Sequence, residues 1–131
     1  MPKADGLSMT DQERPPRKTG LSHFFAAASY SLAGFRRMLR ESAFRQELGL
    51  ILALLVALVV MGASLPAILG LLAIGLLLLA VEALNTAIEV LVDHLSPGWS
   101  QFAKDAKDLG SFAVACVIGG MLLYAGIVLY P

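Results

Sequence analysis

The chain has 131 residues, of which 57% are hydrophobic and only 15% charged, and its mean hydropathy is +0.74. This composition excludes an ordinary water-soluble domain, in which about a quarter of the residues are charged. The ten basic and ten acidic residues cancel, so the net charge indicates no partner, and we expect no binding of nucleic acid. The positions of the charges along the chain are more informative.

The first 21 residues are polar and contain prolines, without the apolar core of a cleavable signal peptide. We interpret residues 1–21 as a flexible N-terminal tail. Residues 22–131 are then expected to form a single domain in the membrane.

An amphipathic helix is predicted over about residues 22–45. Five apolar residues fall within about 80° of arc at 100° per residue: Phe24, Ala28, Leu32, Phe35 and Leu39. Arg36, Arg37 and Arg40 project from the opposite side. This pattern is typical of a helix that lies in the headgroup plane and is attracted to anionic lipid.

Two long runs without charge follow, residues 48–81 with 34 residues and residues 109–131 with 23. One membrane span needs about 20 residues, so the first run must cross twice. Gly62 and Pro66 supply the break between the two crossings. The sequence thus predicts spans at about 47–64, 66–93 and 108–129, with Tyr124 and Tyr130 as interfacial anchors of the third.

The basic residues all precede the first span or lie between the second and third. By the positive-inside rule, both segments should be cytoplasmic. We therefore expect an all-α protein of the bacterial inner membrane, with three transmembrane helices, an N-terminal amphipathic surface helix and a cytoplasmic N-terminus.

The second predicted span ends in a polar stripe made of Glu82, Asn85, Glu89 and Asp93. At these offsets all four side chains share one helix face, which should avoid lipid. Closely spaced carboxylates suit a hard divalent cation. The alternative is structural, with Glu82 or Glu89 paired to Arg45 or Lys107. Glycine-rich phosphate loops are absent from the sequence, so a nucleotide would need metal-bound carboxylates and a few basic side chains.

Three segments resemble the small prokaryotic diacylglycerol kinase family. They are Glu82–Glu89, which reads E-A-L-N-T-A-I-E, the triplet Ala106-Lys107-Asp108, and the upstream Glu41-x-x-Phe44-Arg45-x-Glu47. The resemblance covers about residues 22–131. It implies a membrane homotrimer that transfers the γ-phosphoryl group of ATP, with Mg²⁺, to a lipid alcohol, and Leu109-Gly110-Ser111 favours diacylglycerol as that alcohol.

The resemblance also implies roles for individual residues. Glu82 would be the general base, Asn85 would orient the reacting groups, and Glu41 and Glu89 would hold the metal. Nucleotide contacts would come from Tyr30, Glu41, Glu89, Gly98, Trp99, Ser100, Lys107 and Asp108. Lipid contacts would come from Ala43, Phe44, Arg45, Gln46, Glu47, Glu82, Asn85 and Ser111.

Three other functions compete with a diacylglycerol kinase. An undecaprenol kinase would belong to the same family. A small transporter would place its acids near mid-bilayer, whereas here they cluster at the cytoplasmic end. A membrane scaffold would depend on small-residue packing such as Ala115-x-x-x-Gly119.

Overall fold

Four helices make up residues 20–130, the part of the chain that the computed structural model describes. They are α1 (Leu21–Met38), α2 (Ser42–Val60), α3 (Leu65–Leu95) and α4 (Gln101–Leu129), and no strand occurs in this part. The all-α class is confirmed, as are three helices long and apolar enough to cross a membrane, namely α2, α3 and α4. Residues 1–19, which make up most of the predicted tail, lie outside the described residues.

The chain divides after Gly34 into two compact units. The first unit contains most of α1, on which Phe24, Phe25 and Leu32 are exposed to solvent. Exposed apolar side chains of this kind are what a helix needs to insert into the headgroup region. The last turn of α1 carries Arg36 and Arg37.

The surface helix predicted over 22–45 is shorter in the structure, because it ends at Met38 and α2 already begins at Ser42. Arg45 stabilises this break, since its guanidinium donates to the carbonyls of Leu39 at 3.1 Å and Arg40 at 2.9 Å. Glu41 between the helices has an extended backbone. The helix that contains the first predicted span therefore begins before residue 47.

The break predicted between the first two spans is confirmed. α2 ends in a Schellman motif, in which the amide of Ala63 donates to Leu58 at 2.9 Å and that of Gly62 to Val59 at 3.1 Å. Gly62 has a φ of 72°, which a residue without Cβ adopts at little cost. Pro66 then stands in the first turn of α3, where its missing amide proton is not needed.

The helix that contains the third predicted span begins earlier than residue 108, since α4 starts at Gln101. Ser100 caps it, accepting a hydrogen bond from the amide of Ala103 at 3.2 Å. Side-chain pairs one turn apart extend the helix through its polar start, from Gln101 to Asp105 and from Lys104 to Asp108. Likewise α3 runs to Leu95, beyond the predicted residue 93.

The apolar core lies along α3, which packs against both α2 and α4. Its fully buried side chains are Leu58, Leu71, Leu78 and Met121. Tyr124, expected as an interfacial anchor, is half-buried and donates from its hydroxyl to the carbonyl of Ala67 at 3.0 Å. It therefore ties α4 to the start of α3, at the other end of the helices from the acidic stripe.

Candidate functional site

A polar cavity of about 350 Å³ lies where the start of α2, the second half of α3 and the first half of α4 meet. We call it the acidic cavity. It is lined by Glu41, Ser42, Ala43, Glu47, Glu82, Asn85, Thr86, Glu89, Ser111 and Val114. Its volume is in the range of sites that bind small molecules or substrate headgroups.

Four polar side chains of this cavity are almost completely removed from solvent. Glu82 is 4% exposed, Glu47 and Asn85 are 7% exposed, and Thr86 is 8% exposed. Burial of carboxyl and amide groups is costly unless they find partners. Nevertheless, Oε2 of Glu47 and Oδ1 of Asn85 have no hydrogen-bond partner among the described residues. One acceptor atom of each of these two side chains is thus left unpaired by the described part of the chain.

Asn85 connects two of the carboxylates. Its Nδ2 donates a long hydrogen bond of 3.4 Å to Oε2 of Glu82 and one of 3.3 Å to Oε1 of Glu89. The offsets of three and four residues along α3 place all three side chains on one face, as the sequence predicts. Two acids separated by an amide are thus held side by side in one cavity.

The acidic cavity is lined by four glutamates, and no basic residue is among the described residues that line it. Arg37 pairs with Glu41 at its edge. A polyphosphate can enter only together with cations, because like charges repel strongly at short range. Within residues 20–130 no three acidic, histidine or cysteine side chains form a metal cluster by themselves. Mg²⁺ commonly binds through one or two carboxylates together with substrate phosphates, and these glutamates fit that donor set.

A second cavity, of about 470 Å³, lies at the junction of α3 and α4, and we call it the loop cavity. It is lined by Asp93, Ser96, Pro97, Gly98, Trp99, Ser100, Ala103, Lys104 and Lys107. The hydroxyls of Ser96 and Ser100 are 2.8 Å apart, which fixes the loop between the helices. Lys107 of α4 pairs with Asp93 of α3 across the cavity.

The two cavities are lined by residues one helical turn apart on both α3 and α4. On α3, Glu89 of the acidic cavity and Asp93 of the loop cavity are one turn apart, and on α4 the same holds for Ser111 and Lys107. Four residues of an α-helix advance about 6 Å along its axis. A ligand with an extended charged chain can therefore reach from one cavity into the other.

Most of the predicted site residues lie in one of these cavities. The acidic cavity contains Glu41, Ala43, Glu47, Glu82, Asn85, Glu89 and Ser111. The loop cavity contains Gly98, Trp99, Ser100 and Lys107. Neither contains Tyr30, Phe44, Arg45, Gln46 or Asp108. Asp93, which shares the predicted stripe, belongs to the loop cavity rather than to the acidic one.

The residues outside the cavities have identifiable surroundings. Phe44 is buried with its ring edge-on to Phe35, at 6.0 Å between centroids, and Arg45 binds the carbonyls that end α1. Asp108 pairs with Lys104 on the exposed side of α4. Tyr30 is exposed on α1, in the first unit. Within the segment 43–47, Ala43 and Glu47 are one helical turn apart on α2, and these two line the acidic cavity.

Three residues that line the acidic cavity were not predicted: Ser42, Thr86 and Val114. The helical offset is a signal that could have found two of them. Thr86 lies one turn after Glu82, and Val114 one turn after Ser111, so each shares a face with a predicted residue. Whether Ser42 lines the cavity depends on where α2 begins, which the periodicity of the sequence does not reveal.

Comparison with known proteins gives one consistent result. The family model for prokaryotic diacylglycerol kinase matches residues 29–129. A diacylglycerol kinase of Sinorhizobium sp. is 46% identical over 112 residues, covering 86% of this chain and 82% of the relative. A diacylglycerol kinase of Pseudomonas aeruginosa is 41% identical, covering 73% of this chain and 79% of the relative. One of Escherichia coli K12 is 38% identical, covering 76% of this chain and 83% of the relative. The chain belongs to the prokaryotic diacylglycerol kinase family.

Proposed function

We propose that this protein phosphorylates diacylglycerol to phosphatidic acid, with ATP as the phosphoryl donor, at the cytoplasmic surface of the membrane. The observation that carries the proposal is the pair of Asn85-linked acids, the buried Glu82 and the half-buried Glu89, in a cavity near one end of the apolar helices. A lipid alcohol can enter such a site from the bilayer without leaving the lipid. The relatives' name supports diacylglycerol as that alcohol.

Glu82 is the proposed general base. Its carboxylate takes the proton of the lipid hydroxyl as the hydroxyl oxygen bonds to the γ-phosphorus and the bond from that phosphorus to ADP breaks. Asn85 donates to Glu82 through its amide, and Ala43, Glu47 and Ser111 line the same cavity, where we place the glycerol end of the lipid. We extend the lipid contacts to Phe44, Arg45 and Gln46, which follow Ala43 on α2.

Glu41 and Glu89 are the proposed ligands of Mg²⁺, which would supply positive charge to the phosphates when bound. The acidic character of the cavity supports this assignment, since a polyphosphate would otherwise meet four glutamates. Glu89 also accepts from Asn85. The amide therefore connects the proposed base with a proposed metal ligand.

The loop cavity is the proposed nucleotide site. Lys107 offers a cation for phosphate, Ser100 a hydroxyl and Trp99 an exposed aromatic face for the base. Its position one helical turn from the acidic cavity supports an ATP that extends from Gly98 toward Glu89. Tyr30 and Asp108 complete the proposed nucleotide contacts by family resemblance.

We also propose that the protein is a homotrimer in the bacterial inner membrane with its N-terminus in the cytoplasm. The family resemblance supports the trimer. The positive-inside rule supports the orientation, since Arg36, Arg37 and Arg40 lie before α2 and Lys104 and Lys107 lie at the start of α4.

The decisive assay uses purified protein in mixed micelles with Mg²⁺ and ATP, and with diacylglycerol or undecaprenol in separate reactions. We expect ADP release that depends on diacylglycerol, and a loss of about 10²–10⁴-fold in kcat for Glu82→Gln. The matched control is Asp105→Asn, which makes the same chemical change on an exposed residue outside both cavities and should leave kcat unchanged.

Each alternative result has a distinct meaning. Phosphorylation of undecaprenol but not diacylglycerol would overturn the assignment of diacylglycerol as the substrate. Near-normal turnover by Glu82→Gln would overturn the assignment of Glu82 as the general base. Absence of lipid-dependent ADP release by the wild-type protein would overturn the kinase function itself.

A further inference from the structure

Gly110 is the residue of α4 that lies against Asn85. It is buried, and a methyl group added to its Cα would overlap Oδ1 of Asn85 and lie 3.2 Å from Cγ of that side chain. Any residue other than glycine at this position would displace the carboxamide. The close approach of α4 to α3 at this level therefore depends on the missing side chain.

The carboxamide of Asn85 is restrained unequally at its two ends. Nδ2 donates to Glu82 and to Glu89, whereas Oδ1 has no hydrogen-bond partner in the described part of the chain. Both hydrogen bonds from Nδ2 are long, so they hold the group weakly. The backbone of α4 at Gly110 is thus the restraint on the Oδ1 side.

We propose that Gly110 is a positioning residue, whose lack of a side chain holds the carboxamide of Asn85 between Glu82 and Glu89. The orientation follows from the packing alone, and only its consequence for catalysis rests on the proposed function. A larger residue at position 110 would rotate or push the carboxamide and separate it from one or both acids. Misplacement by about 1 Å is enough to reduce turnover about 10²-fold.

Other glycines of the bundle provide matched controls. A methyl group on Gly75 of α3 would lie 2.9 Å from Cγ2 of Ile51, so Gly75→Ala makes a milder overlap in the apolar core, away from both cavities. A methyl group on Gly120 of α4 would meet nothing within 4 Å in the described chain. Gly120→Ala therefore tests the change in helix propensity alone.

The first measurement is independent of activity. Asn85 is the only asparagine in the sequence, so selective ¹⁵N-asparagine labelling gives one pair of side-chain amide resonances in micelles. We expect Gly110→Ala to move this pair by more than its line width, while Gly75→Ala and Gly120→Ala leave it in place. An unmoved pair in Gly110→Ala would overturn the proposal, as would equal movement in Gly75→Ala.

The second measurement is kinetic. We expect Gly110→Ala to lower kcat about 10- to 100-fold with KM for lipid and for ATP nearly unchanged. In an Asn85→Ala background the same change should cause no further loss, because the two residues act as a unit. If Gly110→Ala fails to fold, the double variant should fold, since it removes the overlap; a double variant that also fails to fold contradicts the proposal.

The two measurements separate the two ideas. A wild-type protein without kinase activity, together with the expected movement of the Asn85 resonances, would reject the proposed function and retain the positioning role. An active wild-type protein whose Gly110→Ala variant keeps normal kcat would reject the positioning role and retain the function.

Discussion

Glu41 is the one glutamate of the acidic cavity that has a cationic partner among the described residues, namely Arg37 one turn earlier. If Glu41 is a metal ligand, Arg37 competes with Mg²⁺ for the same carboxylate. The competition is moderate, because both side chains are partly exposed and such pairs contribute about 0.2–1 kcal/mol.

Arg37→Gln should therefore lower the half-saturating Mg²⁺ concentration by up to about fivefold at saturating ATP, by releasing Glu41. Turnover measured against free Mg²⁺ tests this, with Arg36→Gln as the control that removes the same charge from the neighbouring position. A higher Mg²⁺ requirement in Arg37→Gln would indicate that the arginine binds phosphate instead of competing with the metal.

Asp93 has no role that the sequence alone assigns, and the structure gives it a partner, Lys107. Lys107→Met should raise KM for ATP at least about tenfold by removing a phosphate contact. Asp93→Asn should lower that KM about two- to fivefold, because it frees the lysine and removes a repulsive charge. Initial rates against ATP concentration measure both. Equal increases in KM for the two variants would instead show that the ion pair itself, by fixing the loop, forms the site.

At the scale of single residues, the sequence reveals the acidic stripe because helical offsets place Glu82, Asn85 and Glu89 on one face whatever packs against them. It cannot reveal that Gly110 contacts Asn85, since that contact depends on how closely two helices approach. It likewise cannot show that Ala43 lines the acidic cavity and Arg45 does not, because that depends on where α2 begins.

At the scale of the helices, the sequence predicts a break where glycine or proline disfavours a helix. It misses a break that depends on a side chain binding backbone carbonyls. Gly62 and Pro66 mark the first kind, and the observed turn lies there. The break before Ser42 is of the second kind, because it depends on Arg45 binding the carbonyls of Leu39 and Arg40. The early start of α4 also depends on a local cap, at Ser100.

The contact between α3 and α4 far from the site makes a separate prediction about stability. The hydroxyl of Tyr124 donates to Ala67, and its ring lies so close to Gly70 that an added methyl group would overlap the hydroxyl. Tyr124→Phe should lower the free energy of unfolding by about 0.5–1.5 kcal/mol and leave kcat unchanged.

Unfolding in dodecylmaltoside by titration with SDS, followed by near-ultraviolet circular dichroism, measures this effect. Tyr130→Phe is the control, since Tyr130 is the exposed residue that follows α4. Equal stability of the Tyr124→Phe variant and the wild type would show that the hydrogen bond contributes nothing, whereas a reduced kcat would show that the two ends of the bundle are coupled.

At the scale of the whole molecule, helix length determines how deep the site lies. The 31 residues of α3 extend over about 46 Å, against about 30 Å for the hydrocarbon core. If the core begins near Leu65, it ends about 20 residues later, close to Asn85. Glu82 then lies at the membrane boundary and Glu89 and Asp93 beyond it. Such a depth suits an enzyme that takes one substrate from lipid and the other from water.

This placement predicts opposite exposure of the two ends of α3. In a Cys116→Ser background, which removes the sole cysteine of the sequence, Met61→Cys should react with a membrane-impermeant maleimide in intact spheroplasts. Gln101→Cys should react only in inverted vesicles, because Gln101 begins α4 beside the loop cavity. Both positions are exposed in the fold, so the bilayer and not burial decides the outcome. Labelling of Gln101→Cys from outside would reverse the orientation and place the acidic cavity away from cytoplasmic ATP.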